Sequence, residues 1–459
     1  MVEAIRRKLG FDGPVAYTFF ARLTSVLGST GTVLLIVRFL DPNEQGYYYT
    51  LLSLVSLQLV FELGFSFVIQ QLAAHECVHL SFHSAGTVGG DPIAHARLAS
   101  SLQLALRWYS VAAVVMALFV APLGLFFFGR HSAAAGVHVS WRGPWLTAIF
   151  ASAVGLWATP FYSFLEGCGQ IRAVAAMRFR QSIAAAVFAW APMLLHFGLY
   201  APALVIIGQT AVGVLFIASH RGLLLNLLRH PSGRHAIHWT REIWPFQWRI
   251  AVSWMCSYFT VQIFIPIVFA MRGPVDAGQI GMSLSITGAM TLLALAWSTP
   301  KATYFGRLIA QRAFQALDEL FWRTLAQSLG VFAGFGIAAC ALAAALPPFA
   351  PRVAVRMVSP RLFALLVAAA AANCVVQTMA TLLRSFKSEP FLTQSLAVAA
   401  CTVGFGALAA SRWGNQGVAL SYFGVTAGVG LPVAVTIFTH ARRKYLRPIC
   451  ETDFAGGAR

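Results

Sequence analysis

The sequence has few charged residues, and acidic ones are the scarcest. Only 10% of its 459 residues are charged, and Asp and Glu together number 15 against 33 for Lys and Arg. Soluble domains carry about 25% charged residues. With 58% hydrophobic residues and a mean hydropathy of +0.71, the chain is predicted to be a membrane protein that crosses the bilayer many times. We expect no separate soluble domain.

Cysteine and lysine are also scarce, and their positions exclude several kinds of site. The seven cysteines stand alone, mostly within apolar segments, and none forms a C-x-x-C pair. This spacing indicates neither a disulfide framework nor a thiolate metal site. The four lysines follow Arg7, Pro300, Phe386 and Arg443, so the Gly-Lys of a phosphate-binding loop is missing. We therefore expect no ATP hydrolysis and no cofactor, and a gradient or downhill flow of substrate must drive any transport.

One short motif has the pattern of a zinc site. The segment 75–79 reads HECVH and fits H-E-x-x-H, in which two histidines share a zinc and the glutamate acts as general base. A catalytic zinc needs a third protein ligand. The candidates downstream, Asp91 and His95, follow a glycine-rich loop without a recognisable signature. We interpret the motif as a solvated helix end and predict no metal at His75 and His79.

Long apolar segments give the topology. A helix needs roughly 20 residues to cross a bilayer, and about twelve segments have this length. The boundary between the fifth and the sixth is the least well marked, because only a short turn at 198–202 separates them. The predicted fold is an all-α polytopic membrane protein. Its spans are 15–40, 47–71, 101–127, 144–167, 183–200, 201–228, 246–271, 279–299, 324–348, 362–385, 391–411 and 416–439.

Charges in the loops orient these spans. With a cytoplasmic N-terminus, the inner segments hold about 22 basic residues and the outer segments about seven, and basic loops favour the cytoplasmic side. We therefore predict cytoplasmic termini and a location in the cytoplasmic (inner) membrane. The same bias accounts for most of the formal net charge of +18, so we expect no nucleic-acid partner.

The chain also has the pattern of two copies of one unit. The turn 41–46 after the first span has a counterpart at 273–278 after the seventh. Both turns place an acid and a glycine after a proline, with an arginine just ahead. Two six-span halves in parallel order are a recurrent transporter plan, with the substrate site between them. We predict an N-terminal half at 1–228 and a C-terminal half at 229–459.

Polar residues recur at helical spacing inside several spans, which predicts polar faces within the bundle. Buried charges such as Arg22 and Glu62 normally face a partner or a wet cavity. These polar residues also have simpler explanations that do not require a cavity. Ser and Thr stripes help helices to pack, Arg22 and Glu62 can form a structural ion pair, and Arg107 and Arg249 lie near enough to a surface to extend to it. The other polar residues predicted to line a cavity are Ser25, Ser29, Gln58, Ser253, Thr287, Asn373 and Gln377.

Two stretches carry a resemblance to a known family. RFLDPNEQGYYYTLLSLVSL, followed by FELGFSFVIQQLAA, resembles the opening of polysaccharide-export flippases. These are the Wzx-type O-antigen translocases of the multidrug/oligosaccharidyl-lipid/polysaccharide exporter superfamily. The stretch TPKATYFGRLIAQRAFQALDELFWRTL looks like the equivalent segment of that family's second half. The resemblance extends over nearly the whole chain through span number and loop positions, although no single motif is diagnostic.

The resemblance implies a V-shaped bundle of two six-helix halves around a cationic cavity. Such proteins move undecaprenyl-diphosphate-linked oligosaccharides between leaflets by alternating access, for O-antigen or exopolysaccharide synthesis. The implied partners are the lipid-linked substrate, membrane lipids, and the polysaccharide polymerase with its chain-length machinery. Arg22, Arg107 and Arg249 would then bind the pyrophosphate, since arginine makes bidentate contacts with such groups. Glu62 and Glu166 would carry a coupling proton or balance the arginines.

Three other functions compete with the flippase. A cation-coupled drug antiporter of the same superfamily is disfavoured by an arginine-bearing cavity. A lipid II flippase is disfavoured by about twelve spans rather than fourteen. A membrane glycosyltransferase, polymerase or ligase would need catalytic groups in a sizeable outer loop. The longest outer loops, 129–143 and 348–361, are short and contain no acid, so we predict that the chain is not an enzyme.

Overall fold

The computed structural model describes residues 13–82, 88–135, 139–231, 237–296, 298, 301–386 and 391–446. This part of the chain is nearly all helical. The helices are α1 (Gly13–Phe39), α2 (Pro42–Val55), α3 (Gln58–Glu62), α4 (Phe65–Glu76), α5 (Pro92–Ala135), α6 (Arg142–Gly167), α7 (Ile171–Leu194), α8 (Ala201–Ser219), α9 (Arg221–Arg229), α10 (Trp244–Val261), α11 (Phe264–Arg272), α12 (Pro274–Ala294), α13 (Ala302–Ala310), α14 (Phe314–Phe349), α15 (Pro351–Ala354), α16 (Pro360–Arg384), α17 (Leu392–Val425) and α18 (Leu431–Leu446).

Nine stretches of helix in the described ranges are long and apolar enough to cross a membrane, or ten if the bent pair α2–α3 and α4 forms one span. Each of the twelve predicted spans overlaps a helix. The number of candidate spans in the structure is nevertheless smaller than the number predicted, for two reasons. Three arginines, at 172, 178 and 180, make the first part of α7 polar. The apolar stretch Leu392–Tyr445 runs for 54 residues, about 80 Å of helix against a hydrocarbon core of about 30 Å. Gly414, with φ 56° and ψ −135°, interrupts this stretch. The total of twelve spans stays a prediction.

The turn between α1 and α2 is fixed by a capping box, in which two residues bind each other's backbone N–H groups. Glu44 N donates to Asp41 Oδ1 at 2.8 Å, and Asp41 N donates to Glu44 Oε2 at 3.0 Å. Pro42 stands at the start of α2, where a missing backbone N–H costs nothing. The capping box therefore begins α2 at Pro42, five residues before the predicted start of the second span at Tyr47.

Helices α2 and α12 approach each other closely beside this turn, at what the loop charges predict to be the outer end of the bundle. A Cβ atom on Gly46 would lie 1.9 Å from the carbonyl oxygen of Pro274, and one on Gly278 would lie 3.0 Å from Gly46 N. Gln45 is buried there, and its Nε2 donates to the carbonyls of Gly278 at 2.9 Å and Arg356 at 3.0 Å. The two segments that the sequence pairs as repeat counterparts are thus in direct contact.

The second predicted span is broken rather than continuous. Leu63 and Gly64 both have left-handed backbone angles, with φ 53° and 65°, and the helices on either side differ in direction by 43°. A carbonyl freed by such a break needs another partner in the membrane. Gln247 Nε2 of α10 supplies it, donating to Leu63 O at 2.7 Å. A Cβ on Gly64 would lie 2.7 Å from Ile250 of α10, so the break is also a close contact between the predicted halves.

A short antiparallel hairpin follows α4, and it corrects the expectation of an all-α chain. Strand β1 (Leu80–Phe82) pairs with β2 (Val88–Gly90), with Ser81 opposite Gly89. Three residues per strand give too little apolar alternation for the sequence to reveal them.

The predicted inner end of the bundle is tied by an ion-pair network that the sequence did not reveal. Arg97 of α5 donates through Nε to Glu76 at 2.8 Å and through Nη2 to Glu242 at 2.7 Å. The hydrogen bond from His238 N and the Arg97 guanidinium lower the pKa of the Glu242 carboxyl. Beside the network, the indole of Trp239 stacks on that of Trp108 with 5.0 Å between ring centroids. The segment between the predicted halves is therefore held against α5.

We expect Gly46→Ala to lower the apparent melting temperature in detergent by several degrees, because the added methyl group would overlap the Pro274 carbonyl. Overpacking of this kind costs about 1–3 kcal/mol. Gly288→Ala in α12 is the matched control, since nothing lies within 4 Å of a Cβ added there. Equal melting temperatures for the two variants would contradict the close contact between α2 and α12.

Candidate functional site

A cavity with several polar side chains in a mainly apolar wall lies in the predicted N-terminal half. Its volume is about 270 Å³, and α1, α2, α7 and α8 form most of its wall, with Ser285 of α12 completing it. Ser25 and Ser29, both predicted to line a cavity, are among the lining residues. The other polar groups are Thr32, Tyr48, Tyr49, Ser182 and Gln209. We call this space the first cavity.

The hydroxyls of α1 are already partly satisfied by their own helix. Ser29 Oγ donates to Val26 O at 2.9 Å, and Thr32 Oγ1 donates to Gly28 O at 2.8 Å. Each hydroxyl oxygen still has lone pairs with which to accept a hydrogen bond. Gly28 lets α7 come near, because a Cβ there would lie 3.2 Å from Ala186 Cβ. Ser29 and Thr32 therefore contribute acceptors to the first cavity.

A second polar cavity lies in the predicted C-terminal half. Its volume is about 170 Å³, and its wall comes from α10, α16, the start of α17 and the wide turn Thr426–Gly430 between α17 and α18. Ser253, Asn373 and Gln377, all predicted from the polar stripes, line it together. Arg384 lines it too, although it was not among the predicted site residues. We call this space the second cavity.

The two remaining polar residues of the prediction lie elsewhere. Thr287 is 3% exposed, and its Oγ1 donates to Leu284 O at 3.0 Å, so it is satisfied inside the bundle. Gln58 is half-buried at the start of α3. Neither residue lines the first or the second cavity. The contacts of Thr287 are those of a hydroxyl residue that helps membrane helices to pack.

None of the three predicted substrate-binding arginines lines these two cavities. Arg107 and Arg249 are exposed, and the guanidinium of Arg249 lies over the Trp248 ring at 5.5 Å from its centroid. This contact agrees with the alternative in which long basic side chains extend to the membrane surface.

Arg22 connects the predicted halves. It is half-buried in α1, and its Nη1 donates to Leu292 O of α12 at 3.2 Å. Leu292 is in the last turn of α12, where carbonyls lack partners within the helix and a positive charge is favourable. Arg22 thus caps a helix of the opposite half, near the inner end of the bundle.

The sequence left open whether Arg22 pairs with Glu62, and the described hydrogen bond of the Glu62 carboxylate is to another residue. Glu62 accepts a hydrogen bond from Ser66 Oγ at 2.6 Å, at the break between α3 and α4. Ion pairs of arginines among the described residues include those of Arg97 with Glu76 and Glu242, Arg178 with Glu166, and Arg442 with Asp318.

Glu166 balances an arginine outside both cavities. Its Oε2 lies 2.7 Å from Nη2 of Arg178, which is on the next helix, α7. Neutralising an arginine was one of the two roles expected for Glu166, and in the structure the carboxylate neutralises Arg178.

The zinc-like motif is a solvated helix end at His75, as expected, but not at Glu76. His75 is 81% exposed at its side chain, but the Glu76 side chain is only 8% exposed and is paired with Arg97. No group of three metal-binding side chains occurs among the residues that the structure describes. The side chain of His79 lies outside the described set. Glu76 is thus part of the inner network.

Solved structures share this fold. An inward-facing multidrug resistance MATE family transporter of the MOP superfamily matches with a TM-score of 0.62 and 12% identity, over 93% of this chain and 99% of its own. The Vibrio cholerae MATE transporter VcmN in its bent form matches with a TM-score of 0.59 and 14% identity, over 94% and 97%. Lipid II flippase MurJ in an inward closed conformation matches with a TM-score of 0.57 and 13% identity. The match covers 94% of this chain and 90% of its own.

Sequence comparison adds nothing to this likeness, because no protein-family model and no curated protein matches the chain. The fold that the resemblance implied is thus confirmed, and the superfamily and the Wzx type within it stay predictions. The proteins that share the fold are transporters and a lipid flippase rather than enzymes.

Proposed function

We propose that this protein is a flippase that moves a lipid-linked oligosaccharide across the cytoplasmic membrane. The chemistry of the first and second cavities supports the proposal. Among the residues that the structure describes, their walls carry hydroxyls, amides and one arginine, and none of these lining residues is a carboxylate. Neutral donors and acceptors match the hydroxyl groups of sugars, and a guanidinium matches a phosphate.

A cation-coupled drug antiporter is the second candidate, because six of the matched structures are of MATE transporters. A buried cationic drug needs a carboxylate, or aromatic faces stripped of water, to offset its lost hydration. The described walls of the two cavities contain no carboxylate, and a drug in the second cavity would meet Arg384, whereas Tyr48 and Tyr49 give the first cavity two aromatic side chains. Another matched structure is of a lipid II flippase, which favours a lipid-linked substrate.

Within this proposal, Arg22 binds the pyrophosphate of the carrier lipid during passage. It donates to a neutral carbonyl on α12, and a phosphate oxygen is a stronger acceptor for a guanidinium. Exchange of the carbonyl for the phosphate would release the contact between α1 and α12 at the inner end. Substrate entry would then be coupled to separation of the two halves.

The wider setting follows from the same proposal. The substrate would be an undecaprenyl-diphosphate-linked unit for O-antigen or exopolysaccharide. The partners would be the polymerase and the chain-length machinery that use this unit in the outer leaflet.

Arg22→Ala should insert into the membrane normally but flip lipid-linked oligosaccharide at least about tenfold more slowly in proteoliposomes, because a charge-assisted hydrogen bond contributes about 1.5–3 kcal/mol. Arg361→Ala, at the opposite end of the bundle on α16, is the control and should transport normally. Arg249→Ala tests the second predicted arginine in the same assay. Full transport by both Arg22→Ala and Arg249→Ala would contradict the role of these arginines.

Glu62 is the carboxylate that we propose for proton coupling, because it lies at a helix break and accepts a hydrogen bond only from the neutral Ser66 among its described side-chain contacts. We expect Glu62→Gln to lose the acceleration of flipping by an imposed pH gradient and to keep downhill flipping. Glu166→Gln should retain the response, since Glu166 is paired with Arg178. An unchanged response in Glu62→Gln would remove Glu62 as the proton carrier.

A further inference from the structure

We infer that a groove between α6 and α8 binds an anionic glycerophospholipid of the outer leaflet, with one acyl chain in the groove and the phosphate at Arg142. The groove opens on the outside of the bundle, and it shares no lining residue with the first or the second cavity. The inference therefore does not rest on the proposed function or on the substrate of that function.

The groove is wide and apolar. Its volume is about 800 Å³, larger than that of either cavity, and none of the ten described residues that line it is charged. Ala151 is buried at its floor, whereas Phe150 and Leu215 at its rim are 68% and 71% exposed. The two helices come close beneath it, since a Cβ on Gly155 would lie 3.1 Å from Thr210 Oγ1. The groove therefore suits an apolar chain that lies along the helices.

The depth of the groove matches the acyl chains of one leaflet. Leu146 and Val154, the first and last lining residues on α6, follow Arg142 by four and twelve residues. These separations are rises of about 6 Å and about 18 Å along the helix. Arg142 begins α6 at the predicted outer end, beside Trp141, and tryptophan is enriched at the membrane interface. Half of the hydrocarbon core is about 15 Å thick, so the groove lies among the acyl chains of the outer leaflet.

The length of the groove favours a lipid over a partner helix. From Leu146 to Val154 the lining covers about 12 Å of α6. A transmembrane helix of another protein would pack along a hydrocarbon core of about 30 Å. An acyl chain belongs to one leaflet and needs no hydrogen bonds, so a groove of this length and composition is sufficient for it.

The charge at the mouth of the groove selects the head group. Arg142 is exposed, and its guanidinium lies over the Trp141 ring at 5.6 Å from the centroid. Such stacking uses the face of the guanidinium and leaves the N–H groups at its edge to donate to a phosphate. The segments 129–143 and 195–202, which lead into α6 and α8, contain two arginines and no acid. The ammonium group of a zwitterionic lipid would meet no carboxylate there, so a lipid with a net negative charge is favoured.

The test is native mass spectrometry of the full-length protein in detergent, with phosphatidylglycerol or phosphatidylcholine of identical acyl chains. We expect the first phosphatidylglycerol to bind about tenfold more tightly than the first phosphatidylcholine, because a charge-assisted hydrogen bond is added. Arg142→Gln should lower the affinity for phosphatidylglycerol to that for phosphatidylcholine. Arg361→Gln removes an exposed arginine from the start of α16, at the same predicted end, and should keep the preference.

A second pair of variants tests the groove itself. Ala211 is an exposed lining residue, so Ala211→Phe should fill the groove without disturbing the bundle and should weaken the binding of both phospholipids. Ala333→Phe, at an exposed alanine of α14 outside the groove, is the matched control and should bind as the wild type does.

Four results would overturn the inference. Equal binding of the two phospholipids by the wild type would show only the general coating of a membrane protein by lipid. Equal affinities in Ala211→Phe and Ala333→Phe would exclude the groove, and a preference for phosphatidylglycerol that persists in Arg142→Gln would exclude Arg142. Displacement of phosphatidylglycerol by an equal concentration of undecaprenyl phosphate would assign the groove to the carrier lipid instead.

Discussion

The close contact between α2 and α12 is the constraint on which the arrangement of the two predicted halves depends. Gly46 brings α2 against the backbone of Pro274, where any side chain would overlap a carbonyl oxygen. Gln45 fills the same place with hydrogen bonds to the backbone of Gly278 and Arg356. Arg356 in turn donates to Leu40 O at 2.6 Å, in the turn between α1 and α2. Backbone contacts of this kind fix distance and register, because they leave no flexible side chain between the helices.

Interruptions of the long helices place polar backbone groups inside the bundle. The break at Leu63–Gly64, the non-helical Gly414 and the wide turn Thr426–Gly430 each interrupt a long apolar helix. In hydrocarbon such interruptions are tolerated where protein or a wet cavity surrounds them. The first break is covered by Gln247 of α10, and the turn at 426–430 forms part of the second cavity. Discontinuous helices at the substrate site are common in transporters.

Helical periodicity was enough to find much of the candidate site. Polar residues stand out in an apolar background, and a spacing of three and four places them on one face. For this reason Ser25 and Ser29 were predicted together and line one cavity, and Ser253, Asn373 and Gln377 line the other. The same pattern cannot say which neighbour a face meets, so Thr287 was predicted for a cavity and is packed in the bundle.

The sequence alone did not predict contacts between distant parts of the chain. Arg22 meets Leu292, which is 270 residues away, and Arg97 meets Glu242, which is 145 residues away. Periodicity within one helix carries no information on such partners. The break at Leu63–Gly64 was missed because Leu63 gives no sign that it adopts a left-handed backbone, which non-glycine residues rarely do.

Alternating access, as implied by the resemblance, requires the two predicted halves to separate at the α2–α12 contact for the substrate to leave. The direct measurement is flipping of lipid-linked oligosaccharide by a variant with cysteines at Asn43 and Val275, joined by a short, reducible thiol cross-linker. Each single-cysteine variant, treated identically, controls for the native cysteines. We predict that cross-linking stops flipping and that reduction restores it. Undiminished flipping with the helices joined would contradict the account.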